Sequence, residues 1–187
     1  MMGNFSDPKR PLIPFKFKGR ASRNAKSNRS DEPYPLIIVS HGYTGSRLMF
    51  TYLTENLASK GYVVVSIDHS DSTFNDANKF NSTLLNRSLD DLFVLNQIEK
   101  MSFDSSSFLY QLVDANNTAL IGYSMGGYGA LNVAGAGYSE KAVNNFSKIS
   151  NGNNALEIRK MGNKEYDKSF DLKFKAIVAM APWGMEY

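Results

Sequence analysis

The residues best suited to do chemistry form the run Gly122-Tyr-Ser124-Met-Gly126. A serine hydroxyl becomes a nucleophile for acyl transfer when the backbone holds it clear of its own strand, and Gly-x-Ser-x-Gly is the spacing that does this at a sharp strand-to-helix turn. The apolar run Ala119-Leu-Ile121 leads into it, and Gly127, Gly129, Ala130 and Leu131 follow as a small-residue helical segment that Gly135 and Gly137 end. A Cβ at Gly122 or Gly126 is expected to collide with the neighbouring strand or helix. The competing reading is a plain glycine-rich turn in an α/β sheet.

A nucleophile of this kind needs two backbone N–H donors aimed at the oxyanion that develops during attack. One is the amide of the following residue, Met125. The other comes from a loop after an earlier strand, and Ser40-His41-Gly42-Tyr43-Thr44-Gly45 is such a loop. Tyr43 is its natural donor, with Gly42 permitting close approach.

The elements that position these residues can be read in order. Leu36-Ile-Ile-Val39 is an uninterrupted β-branched run, as in a strand buried on both faces of a parallel sheet. Ser46 is expected to cap a helix with apolar positions at Met49, Tyr52, Leu53 and Leu57, closed by Gly61. Tyr62-Val-Val-Val-Ser-Ile67 is a second buried strand, ending at Asp68-His69, so the two strands and their helix make a right-handed βαβ unit. Residues 70–87 read as a long polar loop. Residues 89–101 read as a helix that buries Leu89, Leu92, Phe93 and Leu95, and Phe108 to Val113 as a further short turn of helix. Beyond Gly137 the chain is polar except for a helical piece near residues 155–161, and a last strand is expected over residues 173–180. The architecture is α/β, in three layers (α/β/α) with a mostly parallel sheet.

Composition narrows the classes further. The 187 residues suffice for one substantial core, and the absence of cysteine excludes disulfides, thiolate metal sites and a cysteine nucleophile. No metal site or cofactor is expected. No strand end carries a Gly-x-Gly-x-x-Gly or Gly-x4-Gly-Lys-Ser/Thr loop, which argues against a nucleotide-binding domain. No run is long and apolar enough for a membrane span, and no signal-peptide pattern opens the chain, so the cytoplasm is the default expectation if Met1 is the native start. The net charge of +3 is uneven: residues 1–30 carry eight basic side chains against Asp7 alone, and the remainder carries 13 basic against 17 acidic. With few aromatics among them, residues 1–32 read as a flexible basic lead-in rather than a nucleic-acid contact, with a possible edge strand over residues 11–18.

Three stretches together resemble the α/β-hydrolases, in particular the dienelactone hydrolase and platelet-activating-factor acetylhydrolase-like branch: Pro35-Leu-Ile-Ile-Val-Ser-His-Gly42, Ala58-Ser-Lys-Gly-Tyr-Val-Val-Val-Ser-Ile-Asp-His69 and Gly122-Tyr-Ser-Met-Gly-Gly127. The resemblance runs over residues 33–184 and implies a partial α/β-hydrolase domain at 33–187. It implies Ser124 as nucleophile, Met125 and Tyr43 as oxyanion donors, and a small carboxylic ester or related acyl compound as substrate. His41, Gly42, Gly122, Gly126, Asp68 and His69 then shape the loops.

In that fold the catalytic order is serine, acid, histidine, and no histidine follows Ser124 here. The place after the last strand that can hold the acid reads Ala181-Pro-Trp. The resemblance therefore implies a fold truncated before its last strands, with little esterase activity in this chain alone and an exposed edge strand that pairs with the missing C-terminal part or another chain. Three further readings remain open: a rewired triad of Ser124 with His41 or His69 and Asp68, acyl transfer to an acceptor other than water, and a non-catalytic binding module of the same fold. Trp183 and Tyr128 are expected to be packing residues.

Overall fold

A computed structural model describes residues 2–3, 15–16, 19–77, 79–164 and 173–184. Strands β1 (Met2–Gly3) and β2 (Phe15–Lys16) pair antiparallel with each other instead of joining the main sheet. The rest of the expected edge strand at residues 11–18 lies outside the described residues.

The main sheet has four strands: β3 (Tyr34–Ser40), β4 (Val63–Ser66), β5 (Val113–Tyr123) and β6 (Ala176–Met180). Their order is β4-β3-β5-β6 and every ladder among them is parallel. Strand β3 is central because both of its faces are apolar. Side chains alternate across a strand, so Ile37 and Val39 pack with Phe50, Leu53 and Leu57 on one face. Leu36 and Ile38 pack with Leu95, Ile98, Ala130 and Val133 on the other. Leu36, Ile38 and Val39 are fully buried, and each contributes about 1.5–3 kcal/mol. The expected three layers follow. Helix α1 (Thr51–Ala58) covers one face, while α2 (Phe80–Phe103) and α3 (Met125–Val133) cover the other.

Several boundaries differ from the sequence reading. Helix α1 starts at Thr51 with Phe50 at its N-cap, and Ser46 instead caps a preceding turn through Leu48 N–H. Strand β5 begins at Val113, the last residue of the expected short turn of helix. Its register against β3 jumps from Pro35↔Asp114 to Leu36↔Thr118, so residues 115–117 bulge.

The larger difference lies in α2, which starts nine residues before the expected helix and absorbs much of the expected loop. Its buried face holds Leu84, Arg87, Ser88, Asp91, Leu95 and Ile98, whereas Leu89 and Phe93 are 42% and 62% exposed. No side chain caps its start. The first turns are held by tertiary contacts, which override weak local signals: Arg159 Nη2 donates to Leu85 C=O at 2.6 Å and to Ser88 Oγ at 2.8 Å.

Helix α4 (Glu140–Ile149) falls in the stretch read only as polar. Ser139 Oγ caps it by accepting from Ala142 N–H, and it buries Ala142, Val143 and Phe146. A 3₁₀ turn at Ala155–Arg159 follows. Among the described residues, no helix is long and apolar enough to cross a membrane.

Candidate active site

Ser124 sits between β5 and α3 with φ 53° and ψ −112°, a left-handed conformation that a non-glycine residue adopts only under constraint. The constraint is visible on both sides of it. A Cβ on Gly122 would lie 2.1 Å from Gly126 O, and one on Gly126 would lie 2.1 Å from Ser40 O. The turn is therefore pressed between the first turn of α3 and the end of β3, and only glycine fits at either place. Ser124 N–H donates to Met180 C=O at 2.9 Å, and Ser124 C=O accepts from Tyr128 and Trp183 N–H, each at 3.0 Å. These bonds stitch the apex to β6 and to the loop leaving it.

The loop after β3 meets the same apex. A Cβ built on Gly42 would be 3.2 Å from Ser124 Cβ, so Gly42 lies against Ser124, with Tyr43 and Met125 next to them in the chain. Met125 opens α3, where a helical N–H has no partner one turn back. Among the described residues, the Tyr43 amide donates to no backbone carbonyl, while its neighbours are engaged: Thr44 N–H to Ser72 C=O at 2.9 Å and Gly45 N–H to Gly42 C=O at 3.0 Å.

The histidines lie close by but face inward. His41 Nδ1–H donates to Gly42 C=O at 2.6 Å, and its Nε2 accepts from His69 N–H at 3.2 Å. His69 Nδ1–H donates to Asp90 Oδ2 at 2.8 Å, and its Nε2 accepts from Ser40 O–H at 2.8 Å. Each partner fixes the tautomer, because a carbonyl or carboxylate accepts only and a backbone N–H donates only. Both rings are buried, and burial lowers both pKa values, that of His69 to about 4 against the pull of Asp90. Neither ring has a nitrogen left to take a proton from Ser124.

Asp68 does not serve His69. Successive residues point to opposite sides of an extended chain, so Asp68 turns outward, accepting from Arg47 N–H at 2.6 Å and pairing with its guanidinium. The carboxylates near His69 are Asp90 and Asp91 of α2, a segment whose buried face the sequence reading placed elsewhere. Asp91 is fully buried, which raises its pKa well above the usual carboxylate range. Arg87, also buried, donates from Nη1 to His41 C=O at 3.0 Å and from Nη2 to Ser72 Oγ. Gly129 faces this pair rather than the sheet, since a Cβ there would be 2.4 Å from Arg87 Cγ. Arg87 and Asp91 stand one turn apart on a face that also holds Thr83 and Ser88, so no apolar stripe marked them as buried.

Tyr128 and Trp183 pack as expected. Tyr128 is buried with its hydroxyl donating to Leu84 C=O at 3.0 Å. Trp183 lies edge-on to Phe80, Tyr128 and Phe146. Tyr43 meets the same cluster through Phe80, with ring centres 5.3 Å apart. Among the described residues, no group of three or more histidine, aspartate or glutamate side chains is arranged to hold a metal ion.

A model of the PET hydrolase-like family matches residues 26–159. Cutinase est1 of Thermobifida alba is 36% identical over 106 residues, which are 57% of this chain and 32% of that protein. Cutinase cut1 of Thermobifida fusca is 34% identical over 106 residues, 57% of this chain and 30% of its own. The platelet-activating factor acetylhydrolase of Bos taurus is 40% identical over a shorter 45 residues, 24% of this chain and 10% of its own. Among solved structures, a ferulic acid esterase from Streptomyces cinnamoneus aligns with a TM-score of 0.44 at 28% identity, covering 56% of this chain and 34% of that one. The chain spans about a third of the length of the cutinases it matches.

Proposed function

The chain belongs to the PET hydrolase-like family, and from that premise we propose that it carries the nucleophile and oxyanion donors of a serine ester hydrolase. Ser124 Oγ attacks the ester carbonyl carbon, the carbonyl oxygen takes the negative charge, and the amides of Met125 and Tyr43 receive it. Collapse of that intermediate expels the alcohol, which takes up the proton that a base drew from Ser124, and leaves an acyl group on Ser124 that water then releases as the carboxylic acid. The observation that carries this reading is the apex itself: a strained serine, locked by two glycines that admit no Cβ, with the Gly42–Tyr43 loop against it. Cutin and PET, the esters in the names of the matched cutinases and of the family, are the first substrates to try. The hydrolase unit is assigned to residues 33–187, after a basic lead-in at 1–32.

A serine without a base is a weak nucleophile near neutral pH. His41 and His69 are the two histidines of the chain, and both are committed to internal hydrogen bonds. The base and its acid are therefore proposed to come from outside residues 1–187, and the chain alone is expected to turn over esters poorly. The same observation favours a second reading, a non-catalytic module of this fold that binds without cleaving.

A fluorophosphonate probe and a p-nitrophenyl ester, applied to residues 1–187 and to the full-length natural protein, separate these readings. Full-length protein is expected to be labelled and active, and Ser124→Ala to abolish both. Turnover by residues 1–187 that Ser124→Ala removes would mean that a base does lie within the chain. Absence of both signals in full-length protein would favour the binding module.

A further inference from the structure

Arg87 is a buried charge beside the site, and the acyl-transfer steps above leave it unused. Its side chain is 1% exposed, tucked between α2 and the two loops that follow β3 and β4. Gly129 of α3 makes the space for it, and Asp91, one helical turn on, favours the charged form of the guanidinium. Burial lowers its pKa to about 10, which leaves the guanidinium charged at neutral pH.

From that position it ties the loops together. Nη1 donates to His41 C=O and Nη2 to Ser72 Oγ. Above them Thr44 N–H donates to Ser72 C=O, and Gly45 bridges to Thr73. The consequence for Tyr43 follows from peptide geometry. In a trans peptide the C=O and the next N–H point in opposite directions, and the described chain has no cis bond. Gly42 C=O is held by two donors, His41 Nδ1–H at 2.6 Å and Gly45 N–H at 3.0 Å. Fixing that carbonyl aims the Tyr43 N–H the other way. His41 itself is held at two places, its ring by His69 N–H and its carbonyl by Arg87 Nη1.

We infer that Arg87 is a positioning residue for the Tyr43 amide, acting through the His41 carbonyl and the Gly42–Tyr43 peptide plane. The inference rests on the proposed role of Tyr43 as an oxyanion donor. A misaimed donor weakens the transition state and leaves the ester's ground-state binding intact, so the loss falls on kcat and not on KM.

The test uses the full-length natural protein with Arg87→Met, Arg87→Lys and Ser72→Ala, measuring kcat and KM on p-nitrophenyl butyrate and the ¹⁵N–¹H shift of the Tyr43 amide. Loss of one oxyanion donor costs on the order of 10²–10³-fold in kcat. Arg87→Met is expected to approach that loss with little change in KM. Arg87→Lys, which keeps a charged donor, should recover part of it, and Ser72→Ala should show a smaller loss of the same kind. The Tyr43 amide shift should move in all three. Unchanged kcat and an unmoved Tyr43 signal in Arg87→Lys and Ser72→Ala overturn the inference, even if Arg87→Met fails to fold. Equal inactivity of Met and Lys variants in step with lost melting temperature also overturns it, as a purely structural effect. If wild-type turnover does not depend on Ser124, the hydrolase reading fails, and the Tyr43 shift still decides whether Arg87 aims that amide.

Discussion

His69 Nε2 lies 2.8 Å from Ser40 Oγ, and through this bond the one histidine with a carboxylate behind it serves a serine that no substrate can reach. With Asp90 on Nδ1 at 2.8 Å, the group has the connectivity of a serine–histidine–acid relay. Ser40 is fully buried and its carbonyl packs against Gly126. The relay therefore braces the floor of the site and offers no free nitrogen to the hydroxyl at the apex.

Acid sensitivity follows from that bracing. The folded state holds His69 neutral, with a pKa of about 4, while the unfolded chain titrates near 6.5. Between these values the unfolded state binds the extra proton, so stability rises with pH across the window and the loss on acidification approaches about 3 kcal/mol. His41, Arg87, Asp90 and Asp91 all face this ring, and His41 and Asp91 are themselves shifted by burial. Comparing wild type with His69→Gln by urea unfolding from pH 4 to 7 isolates the His69 share. The wild type should lose ground to the variant as pH falls, and a pH-independent difference would contradict the burial argument.

Gly122→Ala and Gly126→Ala are each expected to destabilise the protein by about 3 kcal/mol or more, because the added methyl meets rigid backbone at 2.1 Å in both cases. Urea midpoints measure this. A cost below about 1 kcal/mol would mean that the turn is looser than described.

Ser124→Gly should be more stable than Ser124→Ala by about 1 kcal/mol, since glycine tolerates φ 53° and alanine does not. Thermal unfolding of the two variants gives the order directly. The reverse order would show that the apex carries no strain.

Among the described strands β6 is paired on one side only, with β5, and Val178 on it is 46% exposed. An open apolar edge of this kind recruits another strand. Residues 1–187 are expected to self-associate with rising concentration in sedimentation velocity, and Val178→Lys to shift them toward monomer. Identical monomeric behaviour of both would remove the proposal that this edge seeks a partner.

The parts of the molecule that could be read from the chain are those whose cause is local. Leu36-Ile-Ile-Val39 announces a strand apolar on both faces, and Gly122, Ser124 and Gly126 announce a bend that tolerates no other residues at its ends. Arg87, Asp90 and Asp91 could not be read, because charged residues on a helix are assigned to water unless the partners that bury them are known. Those partners, His41, His69, Ser72 and Gly129, lie on other elements. Helix α4 was legible in principle: Ser139 as cap, then Ala142, Val143 and Phe146 along one side. The polar residues around them diluted the pattern. Asp68 misled for a simpler reason, since adjacency in sequence puts two side chains on opposite sides of an extended backbone.

The backbone bonds of Ser124 to Met180 and Trp183 have a consequence for synthesis on the ribosome. The bend needs the end of β3, translated long before it, and the end of β6, translated well after it. A nascent chain stalled between α3 and β6 would have the serine in place but not its clasp. The reactive shape is thus withheld until translation has passed residue 183, and contacts so distant in sequence are the slow ones to form.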